Sequence, residues 1–182
     1  MRRTSRVVRH NGAMRQTDIA ALFDHLYWVR DRILAASDDP AAPLVDVAPA
    51  TLRDLRSTLV HELDVEWSWR VRLASDDRTA FSPDDEELVA SEFPDLASIR
   101  DRWATDEAEM RAWLGTLDGS ALNEPCQTES SGEGHPFWFH LQHIYSHGIQ
   151  QFADAAVLLT AAGRSPGELD FLDFVETTRR GR

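Results

Sequence analysis

One stretch near the C-terminal end of the sequence gathers side chains that bind metal ions. It reads His135-Pro-Phe-Trp-Phe-His140-Leu-Gln-His143-Ile-Tyr-Ser-His147-Gly-Ile-Gln-Gln151. At about 100° per residue on a helix, His140, His143, His147 and Gln151 fall within roughly 80° of one another. His143 and His147 are four apart, so one ring lies a turn above the other. Two imidazoles at that spacing can share one metal ion. One helix supplies only one wall of such a site, and a further ligand must come from a facing helix. His61, in Leu59-Val60-His61-Glu62-Leu63, is the candidate. A lone helical histidine is more often a hydrogen-bonded core or boundary residue than a ligand. His10 and His25 read that way, although His25 could reach the mouth of a bundle, and His135 reads as the start of a helix.

These residues need helices to hold them. Ile19, Leu22, Phe23, Leu26, Val29, Ile33 and Leu34 recur at three and four residues, which predicts a first helix after Thr17-Asp18. A proline-rich connection spans Pro40 to Pro49. A second helix is expected from Pro49, with the stripe Leu52, Leu55, Leu59, Leu63 and Trp67. Ser75 to Pro83 reads as a loop, and Asp84-Asp85-Glu86-Glu87 as the start of a short helical piece. A third helix is expected after Phe93-Pro94, with Leu96, Ile99, Trp103, Met110, Trp113, Leu114 and Leu117 on its apolar side. Asn123 to Gly134 reads as a loop. The fourth helix should run from His135 or Pro136 to Ala162, stopped by Gly163 and Pro166. Leu169, Phe171, Leu172, Phe174 and Val175 predict a short helix beyond it. No segment alternates as a strand does. The fold class expected is therefore all-α, an antiparallel four-helix bundle with a short C-terminal helix. Residues 1–16 read as a flexible basic leader, 17–176 as the bundle and 177–182 as a frayed tail. Met14 is a candidate alternative start.

Composition narrows the class. The chain has 182 residues, 42% apolar and 27% charged, which is ordinary for one globular domain. Its formal net charge of −12 disfavours nucleic acid and anionic membrane surfaces as partners. Arg2, Arg3, Arg6, Arg9 and Arg15 crowd the first residues, with no apolar run after them to make a secretory signal. A single cysteine, Cys126, excludes an intrachain disulfide and suits a reducing compartment such as the cytoplasm. Standing in a loop, that cysteine reads as inert.

Several short stretches, in this order and spacing, resemble the DinB/YfiT-like family across about residues 17–176. They are Leu22-Phe23-Asp24-His25-Leu26-Tyr27-Trp28, then Thr51 to His61 followed by Glu66-Trp67. Gly134, His143-Ile-Tyr-Ser-His147, Gly163-Arg-Ser-Pro166 and Asp170-Phe171 complete them. The resemblance implies a four-helix bundle, often a homodimer. It also implies a divalent metal (Zn, Ni or Mn) held by three histidines, one on the second helix and two four apart on the fourth. Relatives of that kind include thiol transferases and an isomerase dependent on a low-molecular-weight thiol. By the family pattern His61 is the first ligand and His147 the second, and the third position holds Gln151. A glutamine oxygen is a neutral, weaker donor than imidazole. Three arrangements stay open: Gln151 coordinates through oxygen, His143 takes the third place, or the metal has been lost. With a metal, three protein ligands leave room for water or a small thiol, whose pKa the ion lowers. Asp64 is placed to orient a ligand or act as a base, and Tyr145 and Trp138 to line the pocket. Without a metal, the chain is a non-catalytic bundle that binds a small ligand or a partner.

Overall fold

A computed structural model describes residues 13–38, 52–79, 87–128 and 134–180. Five α-helices carry most of them: α1 (Gln16–Ser37), α2 (Leu55–Ala74), α3 (Leu96–Thr116), α4 (Phe137–Ala161) and α5 (Phe171–Arg180). The protein is largely helical. Pro125–Cys126 and His135–Pro136 form the one small antiparallel strand pair among the described residues. The expected loop before α4 thus contains a two-residue bridge, and Gly134 enters it with φ of 88°. That left-handed value suits a residue without a Cβ.

Local chemistry sets the helix ends. Asp18 accepts the Arg15 N–H at 3.2 Å, and α1 begins at Gln16 with Arg15 as its cap, ahead of the expected cap at Thr17-Asp18. Asp54 accepts the Ser57 N–H at 2.7 Å, so α2 begins at Leu55 rather than at Pro49. Leu52 consequently precedes the helix and is 97% exposed, not part of its stripe. Asp95 caps α3 through the Ser98 N–H at 2.8 Å. Gly163, with φ of 77°, follows the end of α4 as expected. Asp170 accepts the N–H groups of Leu172 and Asp173 and starts α5. Helix α5 then runs to Arg180, past the Thr177 where fraying was expected, and the Thr178 hydroxyl donates to the Phe174 carbonyl at 2.8 Å. The proline-rich connection and residues 84–86 lie outside the described residues, as does His10. A short 3-10 turn is described just beyond, at Ala90–Glu92.

Helix α4 packs against α1 and α2, and α3 packs against the same two. Their shared core holds Phe23, Leu26 and Ile33 of α1, Leu59 and Leu63 of α2, Ile99, Trp103 and Met110 of α3, and Ile144, Phe152 and Leu158 of α4. Each fully buried side chain of this size contributes about 1.5–3 kcal/mol. The inner face of α2 is not purely apolar, because Glu62 and Glu66 are buried beside its leucines. Glu66 accepts the Tyr27 hydroxyl of α1 at 2.5 Å and the Trp103 indole N–H of α3 at 3.4 Å. The Arg30 guanidinium lies over the Tyr27 ring, 4.7 Å from its centre. None of the described helices is long and apolar enough to cross a membrane.

Candidate metal centre

The strong contact between α2 and α4 brings His61 and His147 together. Their ring centres are 5.2 Å apart, with planes inclined at 68°. Imidazole nitrogens about 2.1 Å from a shared ion put each ring centre roughly 3.2 Å away, and a tetrahedral angle then separates the centres by about 5.2 Å. The pair stands at that separation. Both rings are half-buried.

His147 is held from behind. Its Nδ1 lies 2.6 Å from Oε2 of Glu62, the residue after His61. The Glu62 side chain is 0% exposed, and its other oxygen, Oε1, has no partner. Gly148 makes this approach feasible, since a Cβ there would sit 2.5 Å from Glu62 Oε1 and 2.6 Å from Leu26 Cδ1. Burial pushes the Glu62 carboxyl well above its ordinary range, and the nearby Glu66 adds to the shift. Burial, with His61 alongside, pulls His147 down to about 4. The two directions agree. Both shifts disfavour separated charges on the pair, despite a distance short enough for an ion pair. His61 is also lowered, first by burial and then by the Arg53 charge. Both imidazoles therefore favour the neutral form that a metal requires.

The other expected ligands stand differently. Gln151 is half-buried on α4, one turn beyond His147. His143 is exposed and sets its ring against Trp69 at 5.2 Å. Its centre is 6.2 Å from that of His147. Two rings so placed would subtend an angle of about 150° at a shared ion, wider than a tetrahedral centre takes. Among the described residues, no three His, Cys, Asp or Glu side chains form a group arranged to hold a metal. The donor set here is two neutral imidazoles with a glutamine amide one turn away. It would hold a borderline divalent cation with open positions, and hold it weakly.

The other residues with expected or open roles are engaged elsewhere. Asp64 accepts the Leu88 N–H at 2.8 Å and so anchors the segment before α3. Tyr145 bonds His25 Nδ1 at 3.0 Å. His25 Nε2 is 3.0 Å from the Leu169 carbonyl, which can only accept. Nε2 therefore carries the proton, and the Tyr145 hydroxyl donates to Nδ1. Trp28, Phe171 and Phe174 surround the ring. His25 thus ties α5 to α1 and α4 rather than lining a mouth. His140 donates from Nε2 to the Cys126 carbonyl at 3.3 Å. Trp138 stacks edge-on with its neighbour Phe139, 4.4 Å between centres. Cys126 is 2% exposed, and burial raises its thiol, consistent with an inert side chain.

Glu62 is the residue that sequence reasoning passed over. Its signal was the register Leu55, Thr58, Leu59, Glu62, Leu63, Glu66, in which two acids occupy inward positions of a helical stripe. No protein-family model and no curated protein matches the chain.

Proposed function

We propose that the protein is a DinB-like, metal-dependent enzyme acting with a small thiol, a transferase or isomerase by reaction class. The observation that carries this reading is the His61–His147 pair, two neutral imidazoles from facing helices at the separation of ligands on one tetrahedral ion. The sequence resemblance places ligands at these same two positions. Gln151 is the third donor in this reading, through its amide oxygen, with His143 as the alternative. We read α1 to α4 as the antiparallel four-helix bundle of that family, and the protein as a cytoplasmic homodimer.

His61 and His147 would hold the ion from opposite walls, with Gln151 as the third protein donor. A divalent ion bound there would supply Lewis acidity and lower the pKa of a water or small thiol. The half-buried rings restrict water on the α2–α4 side, and burial keeps them deprotonated and ready to coordinate.

The test is a titration of chelator-treated protein with Zn(II), Ni(II), Mn(II) or Co(II), followed by calorimetry, elemental analysis and cobalt absorption. One ion per chain is expected, lost in His61→Ala and His147→Ala and bound more tightly in Gln151→His. Binding that survives His61→Ala refutes the ligand assignment. If the wild type takes no ion and Gln151→His restores one, the site has decayed. The chain is then a non-catalytic bundle that binds a small ligand or partner.

A further inference from the structure

We propose that Glu62 is a positioning residue for His147, holding its Nδ1 so that Nε2 is the nitrogen offered to the ion, and that Gly148 exists to admit it. This rests on the metal reading above and deepens it.

Four observations converge. The Nδ1–Oε2 distance of 2.6 Å is short, and the contact crosses between α2 and α4 rather than lying within one helix. With Nδ1 engaged, Nε2 is the one ring nitrogen left free for a ligand. The Glu62 side chain is fully buried with Oε1 unpartnered, a costly arrangement that packing alone would remove by placing leucine there. Gly148, next to His147, carries no Cβ at the one place where a Cβ would strike both Glu62 and Leu26. A site with only two imidazoles has special use for such a residue. A carboxyl oxygen that accepts the far N–H fixes the ring, and it would raise the basicity of the coordinating nitrogen once a bound cation favours the ionised form of Glu62. In this chain it offsets the weaker third donor, Gln151.

The experiment compares wild type, Glu62→Leu and Glu62→Gln by three measurements. The first is 15N NMR of histidine-labelled, metal-free protein, which reads the His147 tautomer. The second is Zn(II) and Co(II) affinity by competition with a chelator, and the third is the thermal midpoint. Wild type is expected to show His147 as the Nδ1–H tautomer, and finding the proton on Nε2 overturns the proposal. Glu62→Leu should show a mixture and bind the ion about 10- to 100-fold more weakly, while melting no lower than wild type. Glu62→Gln keeps an oxygen acceptor without the charge and should fall between the two in affinity. A purely structural Glu62 would do the reverse, lowering the melting midpoint and leaving tautomer and affinity unchanged. If wild type binds the ion and Glu62→Leu binds it equally well, this proposal fails alone. If wild type and Gln151→His both bind no ion, the metal reading fails and takes the positioning role with it.

Discussion

Gly148→Ala tests the packing between α2 and α4 most directly. In an ordinary helix the change would stabilise by about 1 kcal/mol, the difference in propensity between the two residues. Here the new Cβ would meet Glu62 Oε1 at 2.5 Å and Leu26 Cδ1 at 2.6 Å, where ordinary contact begins at 3.4 Å. Both side chains must retreat by roughly 0.9 Å inside a packed core, and overpacking of this kind costs about 1–3 kcal/mol. Subtracting the helix term leaves a net loss of up to about 2 kcal/mol, or up to roughly 8 °C in melting midpoint for a chain of this size. Urea unfolding followed by circular dichroism measures it. The decisive control is the same substitution in a Glu62→Ala background. With the carboxyl gone, Leu26 has space to move into, and Gly148→Ala should recover up to the helical increment of about 1 kcal/mol, a coupling of about 1–3 kcal/mol between the two sites. If Gly148→Ala stabilises the wild type by its full helical increment, or costs the same in both backgrounds, the proposed clash does not exist.

Two further outcomes follow from buried groups away from that contact. Burial holds the His25 ring neutral, its pKa lowered from 6.5, with Asp170 opposing the shift. The unfolded ring takes a proton at its ordinary value while the folded one does not, so His25 contributes a loss of stability as pH falls through about 6.5, complete once pH is below the folded-state value. Urea unfolding between pH 7.5 and 5.5 should show a shallower decline in His25→Phe than in wild type, and an equal decline would refute the assignment. Cys126 should react with a thiol-directed disulfide reagent slower by about two orders of magnitude in the native protein than in denaturant, because the thiol is both covered and raised in pKa. Rapid native labelling would contradict its placement.

The helices were legible because their apolar residues repeat at three and four positions, and His61 and His147 were legible because they ride on those helices. The start of α2 was not. A proline at 49 is a sound first-turn signal, but Asp54, three residues before Ser57, is the stronger one because it satisfies a first-turn N–H that has no partner within the helix. The length of α5 was missed because its last turn is polar, and a polar turn can still be held by Thr178 and capped upstream by Asp170. Glu62 was passed over for a different reason. Its partner is 85 residues away on another helix. Spacing within a helix says which side chains share a face but not which charged residue on the facing helix meets them. Asp64, closer in spacing to the usual pattern, spends its carboxylate on the Leu88 amide.

The Glu66 carboxylate touches α1 through Tyr27 and α3 through Trp103 while belonging to α2. Leucines, isoleucines and phenylalanines tolerate displacement, since one apolar neighbour serves nearly as well as another. A carboxylate with two named donors does not. If α2 slid along its neighbours by one turn, about 5.4 Å, both donors and the acceptor would be stranded in an apolar interior. Three helices that would otherwise have several near-equal alignments are thereby left with one. That alignment sets the height of α2 and so the level at which His61, five residues before Glu66, meets α4. An acid that touches nothing in the candidate site works as its depth gauge.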